Sequence, residues 1–170
     1  MPKVVKAYVR YIDSMNRAVG KFTMYMVLGM VGILLFETFS RTIFNHPWIW
    51  TVESAQFVMA AYYLIGGGCS LLIAGHVRMD ILYERWSAKK KAIADVITAS
   101  MLVFYIVVLL YGGISATQYA LIYGQVNYTS WAPPLAPIKI IMTLGIAGML
   151  LQVVSQFIKD LAIATGKAIT

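Results

Sequence analysis

The chain has 170 residues, of which 60% are hydrophobic and only 12% charged, and its formal net charge is +7. A soluble domain of this length could not cover so much apolar surface with so few charges, so the composition excludes that class and suits one compact membrane domain over residues 1–170. The positive charge does not indicate nucleic acid, because the basic residues sit in short clusters beside apolar runs, where they meet anionic lipid headgroups.

Residues 1–21 carry six charges in an amphipathic pattern. Val4, Tyr8, Tyr11, Ile12, Met15 and Val19 recur at helical spacing, opposite Lys6, Arg10, Asp13 and Arg17. Such a segment is expected to lie in the headgroup plane as an interfacial helix, with Arg10, Arg17 and Lys21 toward the phosphates, or to dock on a partner protein; surface anchoring is the simpler reading. The apolar run that follows is longer than a signal-peptide core. Glu37-Thr38-Phe39-Ser40-Arg41 stands where a small-residue cleavage site would be, so the run is expected to stay in the mature protein.

A bilayer core of about 30 Å needs about 20 helical residues. Four runs meet that length, at 22–44, 51–74, 92–119 and 136–158. The link Asn45-His46-Pro47-Trp48-Ile49-Trp50 makes the first two an antiparallel hairpin, with Pro47 barring one continuous helix. In the second span, Gly66-Gly67-Gly68 points to close helix packing or a kink. Gly29-x-x-Gly32 and Gly145-x-x-Gly148 are weaker signals of the same kind, and Cys69, as the single cysteine, forms no disulfide framework. Met79, Leu82, Tyr83 and Trp86 give the following loop a second amphipathic pattern, next to Lys89, Lys90 and Lys91. Between Ala92 and Tyr123 only Asp95 is charged, and as unbroken helix this stretch would measure about 48 Å, so it tilts or runs on beyond the bilayer. Pro133-Pro134-Leu135-Ala136-Pro137 separates the third span from the fourth.

Orientation follows from the cations. Twelve of the 14 Lys and Arg residues fall in the N-terminal segment, the loop after span two and the tail, while Arg41 and Lys139 lie just inside span ends on the other side. Both termini are therefore expected in the cytoplasm, as in a multi-pass protein of a bacterial inner membrane. Trp48, Trp50, Tyr123, Tyr128 and Trp131 read as the aromatic belt of the opposite interface. The fold class is an all-α membrane protein of four transmembrane helices.

Charges inside spans are costly, about 2.5–3.5 kcal/mol each at the bilayer centre on insertion scales, and need a reason. Glu37 and Arg41 share one helix face, and Glu53 returns in the antiparallel span at about the same depth. Arg41 is thus placed to bridge both carboxylates, as a polar lock between helices in preference to a proton or ion relay. His46 and His76 fall on opposite membrane faces, which excludes paired haem ligation and a two-histidine metal site. Neither a nucleophile motif nor a phosphate-binding glycine loop occurs, so the sequence points to no enzyme activity and no cofactor.

Arg41-x-x-x-Asn45-x-Pro47, Trp50-Thr51-Val52-Glu53, the glycines at 66–68 and Gly75-His76-Val77-Arg78-Met79-Asp80 resemble, in order and spacing, the small membrane subunit of tripartite ATP-independent periplasmic (TRAP) transporters. Asn45, Pro47, Trp50, His76, Arg78 and Asp80 carry the resemblance. That family often has two consecutive acidic residues after the tryptophan; Val52 stands at the first here, which weighs against a cation site. The resemblance implies a sodium-coupled importer of a carboxylate-bearing solute. In such systems a periplasmic solute-binding protein delivers the solute to a large permease subunit, and the small subunit is a scaffold paired with that permease. Two other readings compete. A self-sufficient dimeric exporter would use Glu37 for proton coupling, but small exporters of that plan carry their acid nearer mid-membrane without an Arg one turn away. A redox-enzyme anchor is disfavoured by the histidine placement.

Overall fold

The computed structural model describes residues 3–73 and 88–164. Four helices account for nearly all of them: α1 Lys3–Phe44, α2 Ile49–Leu72, α3 Ala88–Ile122 and α4 Ala136–Ala164. Each contains a stretch long and apolar enough to cross a membrane. The loop holding His76, Arg78, Asp80 and Trp86 lies outside the described residues, as does the side chain of Lys89.

Helix α1 is one unbroken element of 42 residues, about 63 Å long. The amphipathic N-terminal segment is therefore continuous with the first span. Its packed face, Val9, Ile12, Asn16 and Gly20, is buried within the chain, while Tyr11, expected on that face, is 71% exposed. Arg10, Arg17 and Lys21 point outward. Asn45 ends the helix by adopting a left-handed backbone with φ of 50°, a conformation that asparagine tolerates better than most residues. Only four residues, Asn45 to Trp48, then separate α1 from α2, shorter than the six expected. The third helix runs over 35 residues, about 52 Å, in line with the excess length of its apolar run.

Helix α4 is the hub. Both α2 and α3 pack along it, α1 packs along α2, and α1 also crosses the second half of α4. Ile106, Ile146 and Val153 form the buried centre, with Leu64, Leu102 and Met149 against them. The glycines let α2 sit close to two neighbours at once. A Cβ at Gly68 would fall 2.4 Å from Asn16 Oδ1 of α1, and one at Gly145 would fall 2.9 Å from the Leu64 carbonyl carbon of α2. Close packing is thus the use of Gly68 and Gly145. Gly29, Gly32 and Gly148 face open space instead, because no neighbouring helix crosses there.

Candidate functional site

In hydrocarbon the burial of apolar side chains does not drive helices together, so packing contacts and hydrogen bonds between helices carry the association. Among the described residues, the polar side chains that bond one helix to another gather accordingly near the two ends of the helices.

At the hairpin end, Glu37 is the central group, with 9% of its side chain exposed. Its Oε1 takes a charged hydrogen bond from Arg41 Nη2 at 2.8 Å. Its Oε2 accepts the Trp48 N–H at 3.3 Å and lies 2.7 Å from the Thr51 hydroxyl. That hydroxyl is also 2.6 Å from the Trp48 carbonyl, and its single proton goes to the stronger acceptor, the carboxylate. Trp48 is the N-cap of α2 and makes no side-chain cap bond of its own. Glu37 therefore caps α2 from across the hairpin, where a negative group also complements the positive end of the helix dipole. Ser40 completes the turn: its hydroxyl donates to the His46 carbonyl at 3.0 Å and accepts the Trp48 indole N–H at 2.9 Å. Trp50 packs its ring 6.1 Å from that of Phe36.

Glu53 departs from expectation. Arg41 does not bridge the two carboxylates; Glu53, buried on the first turns of α2, accepts from Asn127 Nδ2 at 3.4 Å. Glu37 lies one helical turn before Arg41 and holds its guanidinium, whereas Glu53 faces the α3–α4 loop. That loop is folded back on itself. Asn127 donates its N–H to the Pro133 carbonyl at 3.0 Å, and Leu135 donates to the Gln125 carbonyl at 2.9 Å. Lys139 Nζ binds Gln125 Oε1 at 2.6 Å, and the Thr117 and Thr143 hydroxyls meet at 2.9 Å between α3 and α4. The Glu53–Asn127 bond thus joins the two hairpins of the fold at one end.

The second network ties α1 to α4 near the chain termini. Asp13 Oδ2 accepts from Lys159 Nζ at 2.6 Å, and its Oδ1 accepts from Gln152 Nε2 at 3.0 Å and from the Ser155 hydroxyl at 3.3 Å. Asn16 Nδ2 donates to Gln152 Oε1 at 2.8 Å. Asn16, Gln152 and Ser155 are all buried. In the sequence Asp13 stands with Lys6, Arg10 and Arg17 on the polar face of the amphipathic segment, and Lys159 enters only the charge asymmetry of the tail. The usable signal was the spacing of Gln152, Ser155 and Lys159, which puts three polar side chains on one face of an otherwise apolar helix.

Among the described residues no cluster of three or more His, Cys, Asp or Glu could hold a metal ion. Both networks are joints between helices.

The chain matches the family described as tripartite ATP-independent periplasmic transporters, DctQ component, over residues 30–163. No curated protein matches it. The matched range includes Glu37, Arg41, Glu53, Asn127, Gln152 and Lys159, and starts after Asp13 and Asn16. With four apolar helices of spanning length and a family match across most of its sequence, the chain belongs to the DctQ component family, the small membrane subunits of TRAP transporters.

Proposed function

We propose that this subunit is a fixed scaffold in a sodium-coupled importer of a carboxylate-bearing solute, paired one to one with a large permease subunit and served by a periplasmic solute-binding protein. Both termini and the loop after α2 lie in the cytoplasm of a bacterium, and the Asn45–Trp48 turn and the α3–α4 loop face the periplasm. The cation distribution supports that orientation.

The observation that carries the scaffold reading is the use made of the carboxylates. A carrier site needs polar groups near the midplane that are free to replace a solute's hydration. Here Glu37 is held by Arg41, Thr51 and the Trp48 N–H, and Asp13 by Lys159, Gln152 and Ser155, each group fastening one helix to another near its end. Glu37 in particular is a cap for α2, which weighs against the proton-coupled exporter.

Reconstitution tests this reading. Liposomes holding the small subunit alone are expected to accumulate no solute, and liposomes with the large subunit and binding protein added are expected to show sodium-dependent uptake. Uptake by the small subunit alone would overturn it.

A further inference from the structure

Helices α2 and α3 both pack on α4 without packing along each other, so a groove of about 720 Å³ opens between them over α4. Its walls come low and close at Ala60 on α2 and at Gly112 and Ala116, one turn apart on α3. A Cβ placed on Gly112 would meet nothing within 4 Å. Small residues four apart on an open helix face are what lets another helix backbone approach in a membrane.

The polar groups of the groove decide between a helix and a lipid tail. Gln56 lines it about 9 Å inside the level of Trp50, and Tyr105 lines its deeper part with 61% of its surface exposed. Neither side chain has a hydrogen-bond partner among the described residues. An amide left unpaired in hydrocarbon is costly, and an acyl chain has nothing to offer it. At the hairpin end of the groove, Lys139 binds the neutral Gln125 amide and, at 3.5 Å, the Ala116 carbonyl, and no carboxylate of the described residues pairs with it. The groove's one cation is complementary to a carboxylate or to the negative C-terminal end of a helix.

We propose that this groove receives a membrane-spanning helix of the large permease subunit. That helix is apolar over most of its length, has a hydrogen-bonding side chain level with Gln56, and places a carboxylate or its C-terminal end near Lys139. The proposal rests on the scaffold reading above.

The test uses tagged small subunit co-expressed with the large subunit. Gly112→Trp fills the groove, and Leu28→Trp places the same bulk on the exposed face of α1 as a control. Recovery of the large subunit is expected to fall at least tenfold with Gly112→Trp and to stay at the wild-type level with Leu28→Trp. In parallel, Ala116→Cys in a Cys69→Ser background, labelled with a benzophenone maleimide, is expected to crosslink to the large subunit on illumination, and this arm stands if the Trp variant fails to fold. Wild-type recovery with Gly112→Trp, or an adduct formed only with phospholipid or with a second copy of the small subunit, would overturn the groove assignment and leave the scaffold reading in place. Failure of the wild-type chain to recover the large subunit at all would overturn both.

Discussion

Asp13 and Lys159 pair at 2.6 Å although 146 positions separate them, so the first and last helices are fastened to each other beside the chain termini. Only about a fifth of each side chain is exposed, 21% for Asp13 and 24% for Lys159. Removing one partner leaves the other mostly buried and uncompensated, and Asp13→Ala also takes the acceptor from the Gln152 Nε2 amide and the Ser155 hydroxyl. Asp13→Ala is expected to destabilise the subunit by about 1–3 kcal/mol, and Lys159→Ala by less. Thermal unfolding in detergent measures both. In a double-mutant cycle the two losses should add to more than the double variant loses, and simple additivity would mean that the pair is not coupled.

The four-helix plan was legible because span length is a property of composition along the chain. Glu37–Arg41 was legible because its spacing is set by one helix. Glu53 was not, since its partner Asn127 comes from a loop 74 positions away, and nothing local to Glu53 distinguishes that partner from Arg41. Asp13 was misread for a related reason. On an amphipathic segment a carboxylate reads as solvated, and only the docking of α4 gives it Lys159 and Gln152. The glycines divide in the same way: Gly145 and Gly148 are alike in sequence and differ only in what crosses them.

The two members of the Glu37–Arg41 pair are unequal. The Arg41 side chain is 62% exposed and has Glu37 as its partner, whereas Glu37 also holds the start of α2 through Thr51 and the Trp48 N–H. Arg41→Ala is accordingly expected to cost under about 1 kcal/mol, as for an exposed ion pair. Glu37→Ala should lower the melting temperature at least twice as far, with Glu37→Gln between the two. Equal effects of Arg41→Ala and Glu37→Ala would show that the cap on α2 contributes nothing.

Gly145 and Gly148 make a matched pair on α4. A Cβ at Gly145 would stand 2.9–3.0 Å from Leu64 and Ile65 main-chain atoms, which cannot rotate away, so α2 and α4 must separate along their contact. Gly145→Ala is expected to destabilise by about 1–3 kcal/mol, the usual range for overpacking. Gly148→Ala meets nothing within 4 Å and should leave stability unchanged or raise it by up to about 1 kcal/mol through helix propensity. Parallel melting curves decide the matter, and an equal loss at both positions would contradict the close approach of α2 and α4.

Among the described residues, two other than glycine hold a left-handed backbone, Asn45 with φ of 50° and Ala132 with φ of 47°. They differ in chemistry at the same conformation. Asparagine is among the few residues that visit this region readily, and alanine has no side-chain hydrogen bond to offset the clash of its Cβ. Ala132 is held there by the folded loop, where its N–H donates to the Thr129 carbonyl at 3.1 Å. Ala132→Gly should therefore stabilise the subunit, by up to about 1 kcal/mol. Asn45→Gly should be close to neutral, since glycine can also end α1 in this way. Asn45→Val should cost about 1–2 kcal/mol, because a β-branched side chain is poorly accommodated at positive φ and would shift the turn that carries the Trp48 N–H to Glu37. The order of melting temperatures should be Ala132→Gly above wild type, Asn45→Gly level with it and Asn45→Val below. An Asn45→Val variant as stable as wild type would mean that the α1–α2 turn does not depend on this backbone conformation, and that the resemblance at Asn45 reflects some other constraint.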